Sequence, residues 1–344
     1  MRARPRAAWR GVAIPHAAQR GVAIPHAAQR GVAIISVLLV VTLATLIVSS
    51  LFWREMVTVR SVENRLSLAQ VRWIESAVLD WAEVVLRVDR NSTGAVDHLG
   101  EIWALPVAET RLDETVMGGA RVSDAERNAM IAGQMFDAQS RLNLNNLVIA
   151  GQPSAPHRQA FERLLGLLGR PESLATLLQQ RIMQAYPPVV EGRRLPASAL
   201  PLLKVSDLRS VPGFDEATVQ ALAPFVTILP KSVRLARAVV NTENTKVNVN
   251  TAPAEVLAAV IADVDLQAAR QFVEGVRQRT FFASLDVARS MFDGSPVLAP
   301  NLLSVGSDFF IVSGMVRFGR VEAQSESLLY RGSVRVERVW QHRF

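Results

Sequence analysis

The feature that most constrains this chain is a long apolar run with no charged residue, from Val32 to Trp53. At about 1.5 Å per residue, a helix of this length crosses the roughly 30 Å hydrocarbon core of a bilayer. Residues 1–31 contain six arginines and no Asp or Glu. Positive charge beside a membrane helix keeps that end of the chain in the cytoplasm. The sequence therefore predicts a single-pass membrane protein whose bulk lies on the other side of the membrane.

The small residue Gly31 lies directly before the apolar run, whereas an ordinary secretory signal has its small residues and cleavage site after the apolar segment. This order resembles the type IV prepilin signal. In that signal, a prepilin peptidase cuts after glycine on the cytoplasmic side and the apolar segment stays on the mature protein. The resemblance implies cleavage after Gly31, with Val32 as the new N-terminus. Most pilins begin with Phe or Met, and Val32 departs from that pattern.

The leader contains a repeat, because the same ten residues occupy positions 11–20 and 21–30. The repeat is Gly-Val-Ala-Ile-Pro-His-Ala-Ala-Gln-Arg, and Gly-Val-Ala-Ile starts a third time at Gly31. Pro15 and Pro25 would interrupt a helix in the first two copies, so only the third copy leads into a membrane segment. A tandem duplication or a misassigned start codon explains the repeat better than a function does.

Composition argues against several classes of function. Removing residues 1–31 lowers the net charge from +7 to about +1, so the basic leader gives little support for nucleic-acid binding. The chain has no cysteine, which excludes thiolate metal sites and catalytic thiols. His98, His157 and His342 are far apart in sequence, and no zinc pattern, nucleophile elbow or phosphate loop is present. The sequence predicts that the protein is not an enzyme.

After Trp53 the pattern becomes that of an amphipathic helix, with apolar residues recurring at steps of three and four. With the apolar run, it predicts one continuous helix of about 55 residues, half in lipid and half packed on a soluble domain. A stop is expected within residues 87–94, which end in Gly94. The apolar positions are Val59, Val62, Leu66, Ala69, Trp73, Ala77, Trp81, Val84 and Val85.

Strands are predicted on both sides of a helical region. Residues 107–116 and 129–136 have strand character, with a turn at Gly118-Gly119, while a helix start at Ser123 and Glu126 competes with the second strand. From Val305 onwards, apolar residues alternate as in antiparallel strands. Phe309, Ile311 and Val316 fall in one strand pair, Val334, Val336 and Val339 in the last strand, and Gly314, Gly319 and Gly332 separate the strands.

The region between these strands is predicted to be helical and divided into short pieces by prolines. The expected helices are 158–168, 172–186, 206–211, 216–225, 252–261, 266–279 and 284–291. The resulting domain scheme is a leader at 1–31, a transmembrane half-helix at 32–53, a first sheet part at 54–145, an all-helical insert at 146–301 and the last strands at 302–344. The fold class is α+β, with the long helix lying on an antiparallel sheet.

Two polar motifs border the insert: Asp137-x-x-Ser140-Arg141-Leu142-Asn143-Leu144-Asn145-Asn146-Leu147 and Val247-Asn248-Val249-Asn250-Thr251-Ala252-Pro253. From their residue types alone, the first predicts a partly buried, turn-rich junction, and in the second Thr251 predicts a helix N-cap with Pro253 in the first turn. With the Gly31 cleavage site, the long helix and the interrupted strands, the motifs resemble those of the K-type minor pseudopilin of the type II secretion system. The resemblance covers the chain apart from the duplicated leader, and implies a type IV pilin-like fold.

The fifth residue of the expected mature chain is Ser36, whereas most pilins carry glutamate there. In a filament that buried carboxylate pairs with the α-amino group of a neighbouring subunit. Members of the K-type family are described as lacking this glutamate because a tip subunit has no neighbour above it. The alternative is that Ser36 is merely a tolerated polar residue.

The resemblance implies a subunit of the bacterial inner membrane with a periplasmic C-terminal domain, located at the pseudopilus tip, where it primes assembly. The implied partners are the I- and J-type minor pseudopilins, the inner-membrane assembly platform, prepilin peptidase, and the secretin or cargo. Family members are also described with bound calcium, so calcium is the candidate cofactor. Asp263 with Asp265 or Asp308 could supply oxygen ligands, but Asp263-Val264-Asp265 lacks the rest of an EF-hand loop, so no ligands are assigned.

A competence-type DNA receptor is the alternative function. Residues 206–214 resemble the first part of a helix-hairpin-helix unit, and residues 247–253 resemble an Asn-x-Asn-Thr-Ala element of such receptors. Hairpins of this kind hold phosphate through backbone N–H groups. Asp215 and Glu216 would repel phosphate and instead suit capping of the next helix, so structural packing is the favoured interpretation.

Overall fold

The computed structural model describes residues 26–112, 129–187, 189–190, 193–235, 238–292, 294–333 and 335–344. Its first element is helix α1, which runs without interruption over 68 residues, His26–Thr93. The predicted long helix is therefore confirmed, and so is its stop, because Gly94 has a φ of 80° that glycine adopts easily. The first copy of the repeat and residues 21–25 of the second lie outside the described residues, whereas residues 26–30 of the second copy form the start of α1, ahead of the expected beginning at Val32.

The first part of α1 has the character of a membrane helix. Every side chain between residues 32 and 64 is exposed, although most of those before Arg54 are apolar. Among the described residues, this is the one helix long and apolar enough to cross a membrane, by length and composition. Burial along α1 begins with Val71, within the unit that comprises residues 65–344.

Five strands form an antiparallel sheet whose order follows the chain. They are β1 (Val107–Arg111), β2 (Ala129–Asp137), β3 (Phe309–Phe318), β4 (Val321–Arg331) and β5 (Val336–Arg343). The predicted strands of both regions are thus confirmed. The predicted continuation of the first strand, the Gly118-Gly119 turn and the Ser123–Glu126 helix start fall within 113–128, outside the described residues, as does Val334.

Alternation along β3 gives the sheet two buried faces, because successive side chains of a strand point to opposite sides. Phe310 and Val312 pack with Leu79, Ala82 and Leu86 of α1. Phe309 and Ile311 lie on the other face, in a cluster with Leu229 and Val233. The sheet is therefore covered by the helix on one side and by a segment of the insert on the other.

The insert leaves the sheet at the end of β2 and returns at β3. Its α-helices are α2 (Ala155–Leu167), α3 (Leu174–Met183), α4 (Glu216–Leu222), α5 (Ala254–Val260), α6 (Leu266–Gln271) and α7 (Leu285–Ser290). The turns Ala138–Ser140, Leu144–Leu147 and Val205–Ser210 are 3₁₀, as is Ile102–Ala104 before the sheet, and Phe272–Val276 continues α6 as a π-helix. Each predicted helix has an observed counterpart, with the expected 206–211 helix formed as 3₁₀.

The insert is mainly helical, as predicted, but not all-helical. Short strand pairs join Leu142–Asn143 to Val226–Thr227, Val148–Ile149 to Gln152–Pro153, Val189–Val190 to Arg193–Arg194, Ser232–Arg234 to Val239–Asn241, and Val247–Asn248 to Leu303–Ser304. Pairs this short carry no readable alternation, which is why the sequence pattern missed them. The insert has its own hydrophobic core, the largest in the described residues.

Gly314 was predicted to separate two strands and instead lies in the middle of β3, so that prediction is wrong. Gly319, with a φ of 58°, does make the turn between β3 and β4, and Gly332 lies between β4 and β5. Gly314 pairs in register with Gly133 of β2. A Cβ on Gly133 would lie 2.8 Å from the backbone oxygen of Ser313, whereas a Cβ on Gly314 would meet its nearest atom at 3.8 Å.

This asymmetry predicts opposite outcomes for two alanine substitutions. We expect Gly133→Ala to lower the free energy of unfolding by about 1–3 kcal/mol, because a strand backbone must move to admit the methyl group. Gly314→Ala is the matched control and should be neutral within about 0.5 kcal/mol or slightly stabilising. Chemical denaturation followed by circular dichroism measures both, and equal destabilisation by the two substitutions would contradict the geometry.

Candidate functional site

Asp137 ends strand β2 and is the centre of a buried group of hydrogen bonds. Its Oδ1 accepts a bond from the backbone N–H of Gln139 at 2.7 Å, which caps the following 3₁₀ turn. Its Oδ2 accepts bonds from Asn248 Nδ2 at 3.0 Å, Thr251 Oγ1 at 2.5 Å and Ser307 Oγ at 2.6 Å. One carboxylate thus joins the sheet, the second polar motif and the returning chain.

Asn248 and Asn250 extend this group through their amides. Asn248 also donates to the backbone oxygen of Asp97 at 3.0 Å, and its own oxygen accepts the backbone N–H of Asn250 at 3.0 Å. Asn250 donates to the backbone oxygens of Phe282 at 3.0 Å and Val305 at 3.2 Å, and accepts from the N–H of Phe282 at 2.8 Å. An amide can donate and accept at once, so each asparagine fixes two backbone segments.

The asparagines of the first motif make a second set of bonds. Asn143 Oδ1 accepts the backbone N–H groups of Asn145 and Leu229, both at 3.1 Å, and its amide donates to Thr245 Oγ1 at 2.7 Å. Asn145 donates to the backbone oxygen of Leu229 at 2.8 Å, and Asn146 to that of Thr245 at 2.6 Å. The predicted turn-rich junction is present, and it holds segments about a hundred residues apart in the chain.

Arg331, at the end of β4, supplies the buried cation of the site. Its Nη2 donates to both carboxylate oxygens of Asp97 at 2.5 Å and to the backbone oxygen of Ser307 at 2.8 Å, and its Nη1 donates to Asp89 at 2.9 Å. The guanidinium also lies over the Phe310 ring, 4.7 Å from its centre. Asp97, Asp137, Asn248, Thr251, Ser307 and Arg331 together are called the junction network below.

Sequence reasoning missed Arg331, Asp97 and Ser307. The partners of Arg331 are 234 and 242 residues away in the chain, so no local spacing reveals them. The one local sign is an arginine directly after the apolar Leu328, Leu329 and Tyr330. Arg141, a predicted motif residue, has no hydrogen bond to the junction network. It is partly buried near Glu326 of β4, and burial lowers its pKa.

Burial shifts the acids of this region. It raises the pKa of Asp137 to about 6, while hydrogen bonds from Ser307, Thr251 and Gln139 oppose the rise. Burial and the negative charge of Glu101 raise the pKa of Asp89 to about 6, against the attraction of Arg331. Burial likewise raises the pKa of Asp97. Buried carboxylates persist only where donors replace the lost water, and the junction network provides those donors.

The structure does not support the suggested calcium ligands. Among the described residues, the group of three acids with ligand atoms within 4.8 Å is Asp89, Asp97 and Glu101. Arg331 contacts the first two, and Glu101 accepts a bond from Trp103 Nε1 at 2.7 Å, so a cation is already in place. Asp265 caps helix α6 by accepting the Ala268 N–H at 2.8 Å. Asp263, Asp265 and Asp308 do not form such a group, and no calcium ligands are assigned.

Two capping predictions have different outcomes. Asp215 caps α4 as predicted, accepting the Thr218 N–H at 2.7 Å, with Glu216 in the first turn. Thr251 is not an N-cap, so that prediction is wrong. Pro253 occupies the cap position of α5, and the Thr251 hydroxyl donates to Asp137 because a buried carboxylate is the stronger acceptor.

The processing residues and the histidines lie elsewhere. Helix α1 continues through Gly31 and Val32, and the Ser36 hydroxyl donates to the Val32 carbonyl at 2.8 Å. His98 stacks on Phe281, and His342 is exposed on β5. His157 is buried in α2, with Nδ1 2.8 Å from Ser154 Oγ and Nε2 without a partner, and burial lowers its pKa to about 4.

A long N-terminal helix on an antiparallel sheet, with a helical insert tied in by the junction network, defines a type IV pilin-like protein with an inserted domain. Residues 140–231 and 247–306 match two family models, each described as type II secretion system (T2SS), protein K. These segments contain both polar motifs apart from Asp137. The chain belongs to the type II secretion system protein K family.

Individual relatives agree with this assignment. The type II secretion system protein K of Pseudomonas aeruginosa PAO1 is 29% identical over 319 residues, covering 87% of this chain and 88% of the relative. The protein of the same name from Klebsiella pneumoniae is 28% identical over 329 residues, covering 87% and 91%. A chain of the crystal structure of the GspK-GspI-GspJ complex from enterotoxigenic Escherichia coli matches with a TM-score of 0.60 at 19% identity, covering 82% of this chain and 99% of that one. That similarity shows the fold.

The junction network predicts a stability cost for Asp137→Asn. The substitution keeps the shape of the side chain but places an NH₂ group among four donors, so at least one buried donor loses its acceptor. We expect the free energy of unfolding to fall by about 1–3 kcal/mol. The exposed Asp263→Asn is the matched control, with no change beyond about 0.5 kcal/mol. If both variants unfold like the wild type, the carboxylate does not hold the junction.

His157 predicts an acid-sensitive insert. Its folded pKa is depressed from 6.5 to about 4, so its contribution to stability is present above pH 6.5 and lost as pH falls towards 4. Between pH 7.5 and pH 5 the free energy of unfolding of the wild type should fall by about 2 kcal/mol relative to that of His157→Phe, since each pKa unit corresponds to about 1.4 kcal/mol. The exposed His342→Gln is the control and should track the wild type at both pH values. A pH-independent difference between wild type and His157→Phe would show that His157 does not titrate in this range.

Proposed function

We propose that this chain is the minor pseudopilin at the tip of the type II secretion pseudopilus, where it primes filament assembly and supports protein export across the outer membrane. Membership of the protein K family supports the pseudopilin assignment. A structural relative was crystallised in a complex with GspI and GspJ. By analogy, the I- and J-type minor pseudopilins are the proposed partners here. The role is one of assembly, with no catalytic step.

The observation that carries this proposal is the serine at position 36, where most pilins carry glutamate. A glutamate at this position would need an α-amino group from a neighbouring subunit to offset its burial. Ser36 instead donates its hydroxyl to the Val32 carbonyl one turn earlier, so it is satisfied within its own helix. A subunit with no neighbour above it has no use for a carboxylate at this position, and Ser36 supplies none.

The proposed location is the bacterial inner membrane, with residues 32–53 in the bilayer. Their apolar side chains are exposed, which is stable in lipid and costly in water. The arginines of the leader favour a cytoplasmic N-terminus and a periplasmic position for the sheet and insert. Prepilin peptidase would remove residues 1–31, and the inner-membrane assembly platform would receive the mature chain.

The insert is the proposed reason that no further subunit stacks above this one. It has its own core and is joined to the sheet by buried, charge-assisted bonds rather than by a flexible linker. A module fixed in this way can block one end of a growing filament. We also propose the secretin or the cargo as its contacts, and the predicted boundaries at 146 and 301 stay proposals.

The hairpin residues give the DNA-receptor alternative no specific support. Asp215 caps α4 and Asp265 caps α6, so a carboxylate lies at each helix N-terminus where a phosphate would have to bind. Arg209 of the first hairpin is paired with Glu216 at 2.9 Å. Phosphate binding at these turns would require breaking caps and bringing two negative charges together.

The decisive experiment replaces the chromosomal gene with wild type, Ser36→Ala or Ser36→Glu. Deletion should abolish pseudopilus assembly and secretion, and Ser36→Ala should restore both. Ser36→Glu should lower secretion by about tenfold, because its carboxylate has no partner at the tip. Intact-mass analysis should show that the restored protein starts at Val32.

Three results would contradict the proposal. Secretion and assembly that survive the deletion would remove the tip-priming role. Full activity of Ser36→Glu would remove the argument from residue 36. A purified membrane protein that retains residues 1–31 would show that it is not processed as a pilin.

A further inference from the structure

A cavity of about 630 Å³ lies within residues 65–344, between the loop before the sheet and the segment that follows helix α6. Its volume is in the range of sites for small organic ligands and short peptide segments. No residue of the junction network lines it, although Asp97 precedes His98 in the chain and Asn248 accepts the backbone N–H of Asn250. The cavity is lined by His98, Leu99, Gly100, Asn250, Val273, Arg277, Gln278, Arg279, Thr280 and Phe281, which include no Asp or Glu.

Arg277 gives the cavity its chemical character. Its backbone N–H bonds to the Phe272 carbonyl at 2.9 Å, which closes the π-helical turn and sets the direction of the side chain. Its Nη1 donates to the carbonyls of Ala252 and Val249. Among the described residues no carboxylate forms a salt bridge with it, whereas buried Arg331 has two. Burial lowers the pKa of Arg277 to about 10, the mark of a desolvated cation without a counter-charge.

The aromatic part of the lining is planar, and the carboxylate of Glu101, which does not line the cavity, lies 3.8 Å from His98 Nε2. The rings of His98 and Phe281 stack with centres 4.0 Å apart and planes 7° apart. His98 Nδ1 accepts the backbone N–H of Gly100 at 3.1 Å, which fixes the ring, and Phe281 is 49% exposed. Asn250 holds Phe282 by two hydrogen bonds, so the wall is anchored to a buried residue. A second cation, Arg279, lies on the exposed rim.

We propose that this cavity binds a peptide segment that presents a carboxylate to Arg277 and an apolar or aromatic side chain to the His98–Phe281 wall. A carboxylate supplies the missing counter-charge in a partly desolvated site, where a charge-assisted bond is strong. A ring or aliphatic group covers the exposed face of Phe281. The carboxylate comes from an acidic side chain or from the C-terminus of the segment. This inference is independent of the tip assignment.

The test uses the full-length protein in detergent micelles and isothermal titration calorimetry at millimolar peptide. The probes are N-acetyl-Phe-Glu-amide, its neutral partner N-acetyl-Phe-Gln-amide, N-acetyl-Phe with a free C-terminus, and sodium acetate. We expect the Glu peptide to bind about tenfold more tightly than the Gln peptide, because the two differ only in charge. Comparison of the Glu peptide with N-acetyl-Phe tells an acidic side chain from a C-terminal carboxylate.

Variants locate the binding. Arg277→Gln should abolish the preference for Glu over Gln, and Phe281→Ala should weaken both peptides by the same factor. Because Arg277 also holds the Ala252 carbonyl, the thermal midpoint of each variant is measured. Arg279→Gln, on the rim, should weaken the Glu peptide about threefold without a change in midpoint. Arg289→Gln, exposed on α7 and outside the cavity, is the matched control and should bind as the wild type does.

Several results would overturn the proposal. Equal binding of the Glu and Gln peptides, or binding of neither, would show that Arg277 does not select a carboxylate. Unchanged binding in Arg277→Gln and Arg279→Gln would place the peptide elsewhere. Acetate that binds as tightly as the Glu peptide would show that a free anion suffices and that the apolar wall takes no part.

Discussion

The structure depends on one buried cation, Arg331, and the two carboxylates that it joins. Asp89 lies near the end of the long helix, Asp97 lies in the following loop and Arg331 ends β4, so three parts of the chain meet at one charge cluster. Burying three charges is costly, and breaking one partner from such a group leaves the others uncompensated. The group is stable because the backbone N–H of Ser307 donates to Asp97, the backbone oxygen of Ser307 accepts from Arg331, and the guanidinium lies over the Phe310 ring. It fixes the helix to the sheet at the point where the insert returns.

From Arg331 the same contacts continue into the insert. Ser307 bonds to Asp97, in the loop before the sheet, and to Asp137, where the chain leaves the sheet. The insert thus begins and ends at one network, although Asp137 and Ser307 are 170 residues apart. Asparagines complete the connection, because an amide can hold two backbone segments without adding charge to the interior. A domain joined in this way keeps a fixed position on the sheet, as the proposed position at a filament tip requires.

Local patterns predicted most of the secondary structure and little of the network. The continuous long helix, the two strand regions and the helices of the insert follow from periodicity and from proline and glycine positions. The failures have a common cause. The local sequence predicts Thr251 as a helix N-cap and Gly314 as a turn residue. Contacts with distant parts of the chain decide otherwise, because Thr251 bonds to Asp137 and Gly314 pairs with β2. Arg141 is part of the predicted motif, but the arginine that bonds within the junction network is Arg331.

The sequence by itself determined the long apolar helix, the alternation of helix and strand, and the polar motifs that border the insert. These properties depend on residues a few positions apart, where charge, hydropathy and period act directly. The tertiary structure alone decided which carboxylates pair with Arg331 and which acceptor the Thr251 hydroxyl bonds to. It also decided which arginine lines a cavity without a counter-charge. Those outcomes depend on the burial and pairing of groups more than a hundred residues apart, and the cost of an unpaired buried charge exists only once the chain has folded around it.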